Sequence, residues 1–137
     1  MKVRDVMIPD AVSASPGMTL MAAAEMMRLL NTDLLPVVED ERLIGLVTDR
    51  DIVVRGLALG FDPRTHAISQ VMTRNVPRCE LGENALDVVQ RMRRHHVRRL
   101  LVVDEWERLR GSVGLDELLA EPAAPREDPE IFVDSRP

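Results

Sequence analysis

The chain of 137 residues predicts a mixed α/β (α+β) fold built from two copies of one half-domain, each a small three-stranded sheet with two helices. Three observations predict it. Val6-Met7 recurs as Val71-Met72, 65 positions on. The run Leu34 to Val38 followed by Gly45 recurs as Leu100 to Val103 followed by Gly111, and a helical pattern from Leu20 to Leu30 recurs from Leu86 to His96. A repeat of this length is too long for a solenoid unit and too small to bury a comfortable core alone. The two halves are therefore expected to pack together with a pseudo-two-fold relation, and the crevices between them become candidate ligand sites.

Each half reads as short helix, strand, helix, strand, strand, helix. Val12 to Ala14 is a short strand and Pro16-Gly17 a turn. Thr19 caps a helix whose buried stripe is Leu20, Ala23, Met26 or Met27, and Leu30, with Asn31 as its terminator. Leu34 to Val38 is a continuous apolar run, as in a strand covered on both faces. Glu39 to Arg42 turns the chain, Leu43 to Thr48 returns as a strand, and a helix follows from about Asp49 to Leu59, closed by Gly60. Gly56 lies mid-helix, where glycine is unfavourable, so close approach of another helix is its expected motive.

The second half repeats the order: a strand near Pro77 to Cys79, a helix from Asn84 with Asp87 three residues on, strands Arg99 to Val103 and Leu109 to Val113, and a last helix near Leu115 to Ala120. One extra residue is expected between Arg78 and Leu86. The repeats are drawn at residues 1–65 and 66–121, leaving 122–137 as a Pro-rich acidic tail expected to be flexible.

Composition narrows the function. A net charge of −5 argues against general affinity for nucleic acid, and the scarcity of aromatics (Phe61, Phe132, Trp106) removes the usual stacking platform for single strands. The apolar runs fall far short of a membrane span. MKVRDVMIPD has no signal-peptide pattern, so a cytoplasmic location is expected. Cys79 is the only cysteine, which excludes an intrachain disulfide.

The junction Gly45-Leu46-Val47-Thr48-Asp49-Arg50-Asp51 carries the sharpest local signal. Thr48 ends a strand and Asp51 falls in the first helical turn, where outward N–H groups favour an anion. A carboxylate there can accept two hydrogen bonds from a vicinal diol, as the acidic residue of a dinucleotide site does with ribose. The Thr48 hydroxyl and the Arg50 charge complete a small nucleotide cradle. The other reading is that Thr-x-x-Asp only caps the helix, and spacing alone favours that simpler role.

RMRRHHVRR, Arg91 to Arg99, is likewise open to two readings: positive charge suited to a helix C-terminus, or phosphate capture led by Arg98 and Arg99. Cys79, His95 and His96 make a poor metal set, because adjacent histidines on one helix diverge and the thiol has no pair. No activated nucleophile and no acid–base pair on a shared site is recognisable, so no enzyme is expected.

The stretch LLPVVEDERLIGLVTDRDIV, preceded by VMIPDAVSASPGMTL, resembles the cystathionine-β-synthase (CBS) domain. Two copies in tandem look like a CBS pair, or Bateman module, over about residues 3 to 120. The resemblance implies regulatory binding of an adenosine nucleotide (AMP, ADP, ATP or S-adenosylmethionine) in the crevices between repeats, with no other cofactor. It also implies a homodimer formed through paired helices, and occupancy passed to a protein partner or to the assembly itself. A dimeric scaffold that no longer binds ligand is the alternative. Thr48 and Asp51 match the family's ribose-binding hydroxyl and carboxylate, and Leu46 the apolar residue against the base. Thr73, Pro77, Val97 and Arg98 match positions that line adenine or approach phosphate. In the second copy Gly114 stands opposite Thr48 and Glu117 opposite Asp51, so a structural role is expected there.

Overall fold

The computed structural model describes residues 1–9 and 12–119; the expected tail at 122–137 and the last residue of the final helix lie outside the described residues. In chain order the elements are α1 (Val3–Val6), β1 (Ile8–Pro9), α2 (Leu20–Leu30), β2 (Leu34–Glu39), β3 (Arg42–Thr48), a π-helical turn (Asp51–Gly56) running into a 3-10 turn (Leu57–Leu59), and a 3-10 turn (Ile68–Gln70). Then come β4 (Arg78–Glu80), α3 (Ala85–His95), β5 (Arg99–Val103), β6 (Leu109–Gly114) and α4 (Leu115–Leu119). They form two compact units: a middle unit of residues 12–76, and a terminal unit that joins residues 1–9 with 77–119.

These units cut the chain differently from the repeats at 1–65 and 66–121. Val3 is fully buried with Cys79, Val88 and Met92, while Ile68, Val71 and Met72 are buried with Leu20, Val37 and Val47. Each core thus takes a short segment from just before the other copy, because the strand–helix–strand half alone leaves one side of its core uncovered.

In the middle unit, β2 and β3 form an antiparallel pair, extended by single bridges from Ala14 to Val37 and from Leu46 to Thr73. The strand expected at Val12 to Ala14 is reduced to that first bridge. The Thr19 hydroxyl accepts from Ala22 N (3.1 Å) to start α2, and Asn31 ends it in the left-handed region at φ 54°. Leu20, Ala23 and Met27 are buried as the pattern predicts, but Leu30 is 45% exposed, because the chain turns away one residue later. Gly56 has its close neighbour within this unit. A Cβ there would come 2.9 Å from Leu20 Cδ1 of α2, which is the physical motive for glycine.

The terminal unit holds a four-stranded sheet, ordered β1-β6-β5-β4, where three strands were expected. β1 is only two residues long and pairs Ile8 with Ser112 and Pro9 with Gly111, too short to show a period. β4 and β5 are parallel, so the crossover between them must carry a helix, and α3 supplies it. Asn84 Oδ1 accepts from Leu86 N (2.9 Å) at its start, and His96 closes it at φ 57°.

Sheet register aligns the copies residue by residue. Leu20 and Ala85 both open a helix, and Asn31 and His96 both close one in the left-handed region. Leu34 faces Thr48 as Arg99 faces Gly114, and Val37 faces Gly45 as Val102 faces Gly111. The extra residue of the second copy therefore lies in the β5–β6 turn, not between Arg78 and Leu86 as the sequence suggested. It also makes Arg99, rather than Leu100, the counterpart of Leu34. Trp106 sits exposed in that enlarged turn with the Arg108 guanidinium 4.8 Å from its ring centroid.

Candidate functional site

The end of β3 and the helical turn after it place Thr48 and Asp51 as reciprocal partners. Thr48 N donates to Asp51 Oδ2 (3.0 Å), and Asp51 N donates to Thr48 Oγ1 (3.0 Å). Two N–H groups that a helix start would leave unpaired are thereby satisfied. The exchange fixes the carboxylate against its own backbone and leaves Asp51 8% exposed. A carboxylate offers about four acceptor positions, so this cap does not exhaust it.

The second oxygen is engaged by a residue that the sequence reading missed. Arg55 Nη1 lies 3.5 Å from Asp51 Oδ1 and 3.5 Å from Thr73 Oγ1, with its side chain half exposed. Arg55 follows Asp51 by four positions, a spacing that brings opposite charges together on a helix, so the signal was present. The π-helical turn from Asp51 to Gly56 holds both residues; π-turns recur at functional sites because they re-aim side chains within one helix.

Thr73 reaches this cluster through the backbone. Leu46 N donates to Thr73 O (2.9 Å) and Thr73 N to Leu46 O (2.8 Å). Gly45 permits the approach, since a Cβ there would stand 2.7 Å from Met72 Sδ and 3.0 Å from Thr73 O. The structure thus brings Leu46, Thr48, Asp51 and Thr73 together in the middle unit. Arg50 is adjacent in sequence but exposed, and its N–H donates to Asp49 Oδ1 (2.7 Å).

The other four sequence candidates belong to the terminal unit. Pro77 and Arg98 are exposed, and Val97 packs against the core beside Leu100 and Val113. Arg99 departs from the phosphate role the sequence offered it. Its guanidinium is buried and engages Glu117 twice, Nη1 to Oε1 (2.6 Å) and Nη2 to Oε2 (3.2 Å). Cys79 is buried, and burial pushes its thiol up to about 12. Among the described residues no cluster of three His, Cys, Asp or Glu is placed to hold a metal ion, and no helix is long and apolar enough to cross a membrane.

Residues 3–57 and 68–124 each match the CBS domain, and the chain belongs to that family as a tandem pair. It is 37% identical over 116 residues to the CBS domain-containing protein YhcV of Bacillus subtilis, covering 85% of this chain and 81% of that one. Among solved structures it resembles Hypoxic Response Protein I with two coordinated zinc ions, at 34% identity and a TM-score of 0.73, over 86% of this chain and 96% of that one. It also resembles the CBS domain pair of protein MJ0100 in complex with 5′-methylthioadenosine and S-adenosyl-L-methionine. There the identity is 27% and the TM-score 0.68, over 86% of this chain and 92% of that one.

Proposed function

We propose that this chain is a non-catalytic regulatory module that binds an adenosine compound at the Thr48–Asp51 site and passes occupancy to a partner or to its own assembly. The carrying observation is the Asp51 carboxylate, held by reciprocal hydrogen bonds with Thr48 and flanked by Arg55 and Thr73. Such a group is pre-organised to accept from both hydroxyls of a ribose, since its rotamer is fixed before any ligand arrives. Arg55 lies beside it and supplies positive charge for a phosphate or carboxylate carried further along the ligand. The adenosine-type ligands bound by the MJ0100 pair support the same chemistry.

The chain works as a homodimer in the cytoplasm in this reading. Val53, Val54 and Leu57 form an exposed apolar stripe on the helix that begins at Asp51, suited to a second copy. Light scattering that returned the monomer mass at micromolar concentration would remove this part.

A second reading, a ligand-free scaffold, rests on the same hydrogen bonds, because the Thr48–Asp51 exchange is also a complete helix cap. A thermal-shift panel separates the two. AMP, ADP, ATP and S-adenosylmethionine are tested against guanosine counterparts. Stabilisation by an adenosine compound and not by guanosine supports the sensor, and no response to any compound supports the scaffold.

A further inference from the structure

The two copies differ at four positions around the end of the equivalent strands, and three of the differences fit together. Thr48 becomes Gly114, Asp51 becomes Glu117, Leu34 becomes Arg99, and Thr73, bridged to β3, becomes Ile8, paired with β6. Taken alone, the changes remove, lengthen or add a polar group. The first three build a buried cluster. Glu117 Oε1 accepts from Gly114 N (2.6 Å) and from Arg99 Nη1 (2.6 Å), and Oε2 accepts from Arg99 Nη2 (3.2 Å). The side chains of Arg99 and Glu117 are only 3% and 9% exposed.

We propose that the second copy carries its own occupant: inside the terminal unit the Arg99 guanidinium takes up both oxygens of Glu117, the counterpart of the Asp51 carboxylate that the ligand reading assigns to ribose in the middle unit. Glycine at 114 is part of the device. A Cβ there would collide with Arg99 Nη1, come 3.0 Å from Arg99 Cζ and 3.0 Å from Glu117 Oε1, so the threonine of the first copy would force the end of this arginine out of its present position. The longer glutamate is the other part, since it still caps its own backbone at Gly114 while presenting both oxygens to the planar guanidinium fork. A buried carboxylate left without this partner would carry an uncompensated charge, so the pair holds itself in place. The terminal unit is therefore a fixed member of the module and the middle unit its responsive one; this asymmetry rests on the ligand reading of Asp51, whereas the internal occupancy does not.

Two measurements test it. The first needs neither ligand nor variant: in the intact chain, the guanidinium protons of Arg99 should exchange with water at least about a hundredfold more slowly than those of exposed Arg98. Equal exchange overturns the proposal. The second is calorimetric stoichiometry with AMP and S-adenosyl-L-methionine. The wild type should take one per chain, and the variant Arg99→Leu/Gly114→Thr/Glu117→Asp, which restores the first copy's residues at the three positions of the cluster, should take two. Two per chain in the wild type, or one in a folded triple variant, overturns the proposal. Should the wild type bind neither compound, the Asp51 reading fails while the exchange measurement still decides whether Arg99 is buried as an occupant. Should the triple variant not fold, the same exchange measurement decides.

Discussion

Removing the Asp51 carboxylate should abolish ligand response while costing the fold little. In Asp51→Ala, Thr48 N loses its acceptor at 3.0 Å and Arg55 its partner at 3.5 Å, but Asp51 N still reaches Thr48 Oγ1 through the backbone. The expected cost to the apo protein is that of one helix cap, about 1 kcal/mol. With an unfolding entropy of about 2.1 cal/mol/K per residue, that lowers the Tm by roughly 3 °C for a chain this long. Ligand at a hundred times its Kd should raise the wild-type Tm by about 9 °C, equivalent to about 2.7 kcal/mol. The variant forfeits two charge-assisted hydrogen bonds to ligand, roughly 2–3 kcal/mol, or about thirtyfold to more than a hundredfold in affinity. Asp51→Asn is the companion, since its amide oxygen can still accept from Thr48 N while the charge is lost. Differential scanning fluorimetry with and without AMP and S-adenosyl-L-methionine reads both quantities. If both variants respond to ligand as the wild type does, Asp51 is only a cap and the reasoning is refuted.

Other consequences follow from single residues. Gly111→Ala should destabilise the terminal unit by roughly 1–3 kcal/mol in urea melts, because the new methyl meets the Ile8 carbonyl oxygen and comes 3.1 Å from Pro9 Cα; an unchanged midpoint would show that β1 can move aside. Cys79 should resist iodoacetamide at pH 8 until the protein unfolds, since burial, with Glu83 adding to it, holds the thiol up to about 12; alkylation at the rate of a free thiol would contradict this. Asp104 is lowered to about 2: burial alone would raise it, but hydrogen bonds from Arg108 and from Trp106 N outweigh that. A carboxyl depressed in the fold stabilises it above the ordinary pKa of 3.8 and loses that contribution as pH falls toward about 2. Asp104→Asn should therefore weaken the protein at pH 6 and flatten its acid unfolding between about pH 4 and pH 2. Identical acid profiles would show that Asp104 contributes nothing to that window.

The local signals in the sequence carried most of the elements. Thr19, Asn31, Asn84 and Gly60 mark helix ends because capping and left-handed backbone are decided within a few residues. What escaped was decided at long range. Nothing near Val3 or Ile68 says which core it enters, and β1 is too short to show a period. The turn insertion before Gly111 hid the equivalence of Leu34 and Arg99, which only the pairing of β5 with β6 reveals. In the site, Thr48 and Asp51 were legible because their bond is local, and Arg55 was within reach of the same rule. The Arg99–Glu117 pair joins residues 18 positions apart and was not.

The most direct test of the central claim compares wild-type affinity for AMP with that for 2′,3′-dideoxy-AMP by calorimetry. Base and phosphate are the same in both, and only the diol that Asp51 is proposed to hold is missing from the second. The account predicts saturable binding of AMP and a loss of roughly 2–3 kcal/mol, about thirtyfold to more than a hundredfold, for the dideoxy compound. Equal affinity for the two, or no binding of AMP and of S-adenosylmethionine alike, would contradict it.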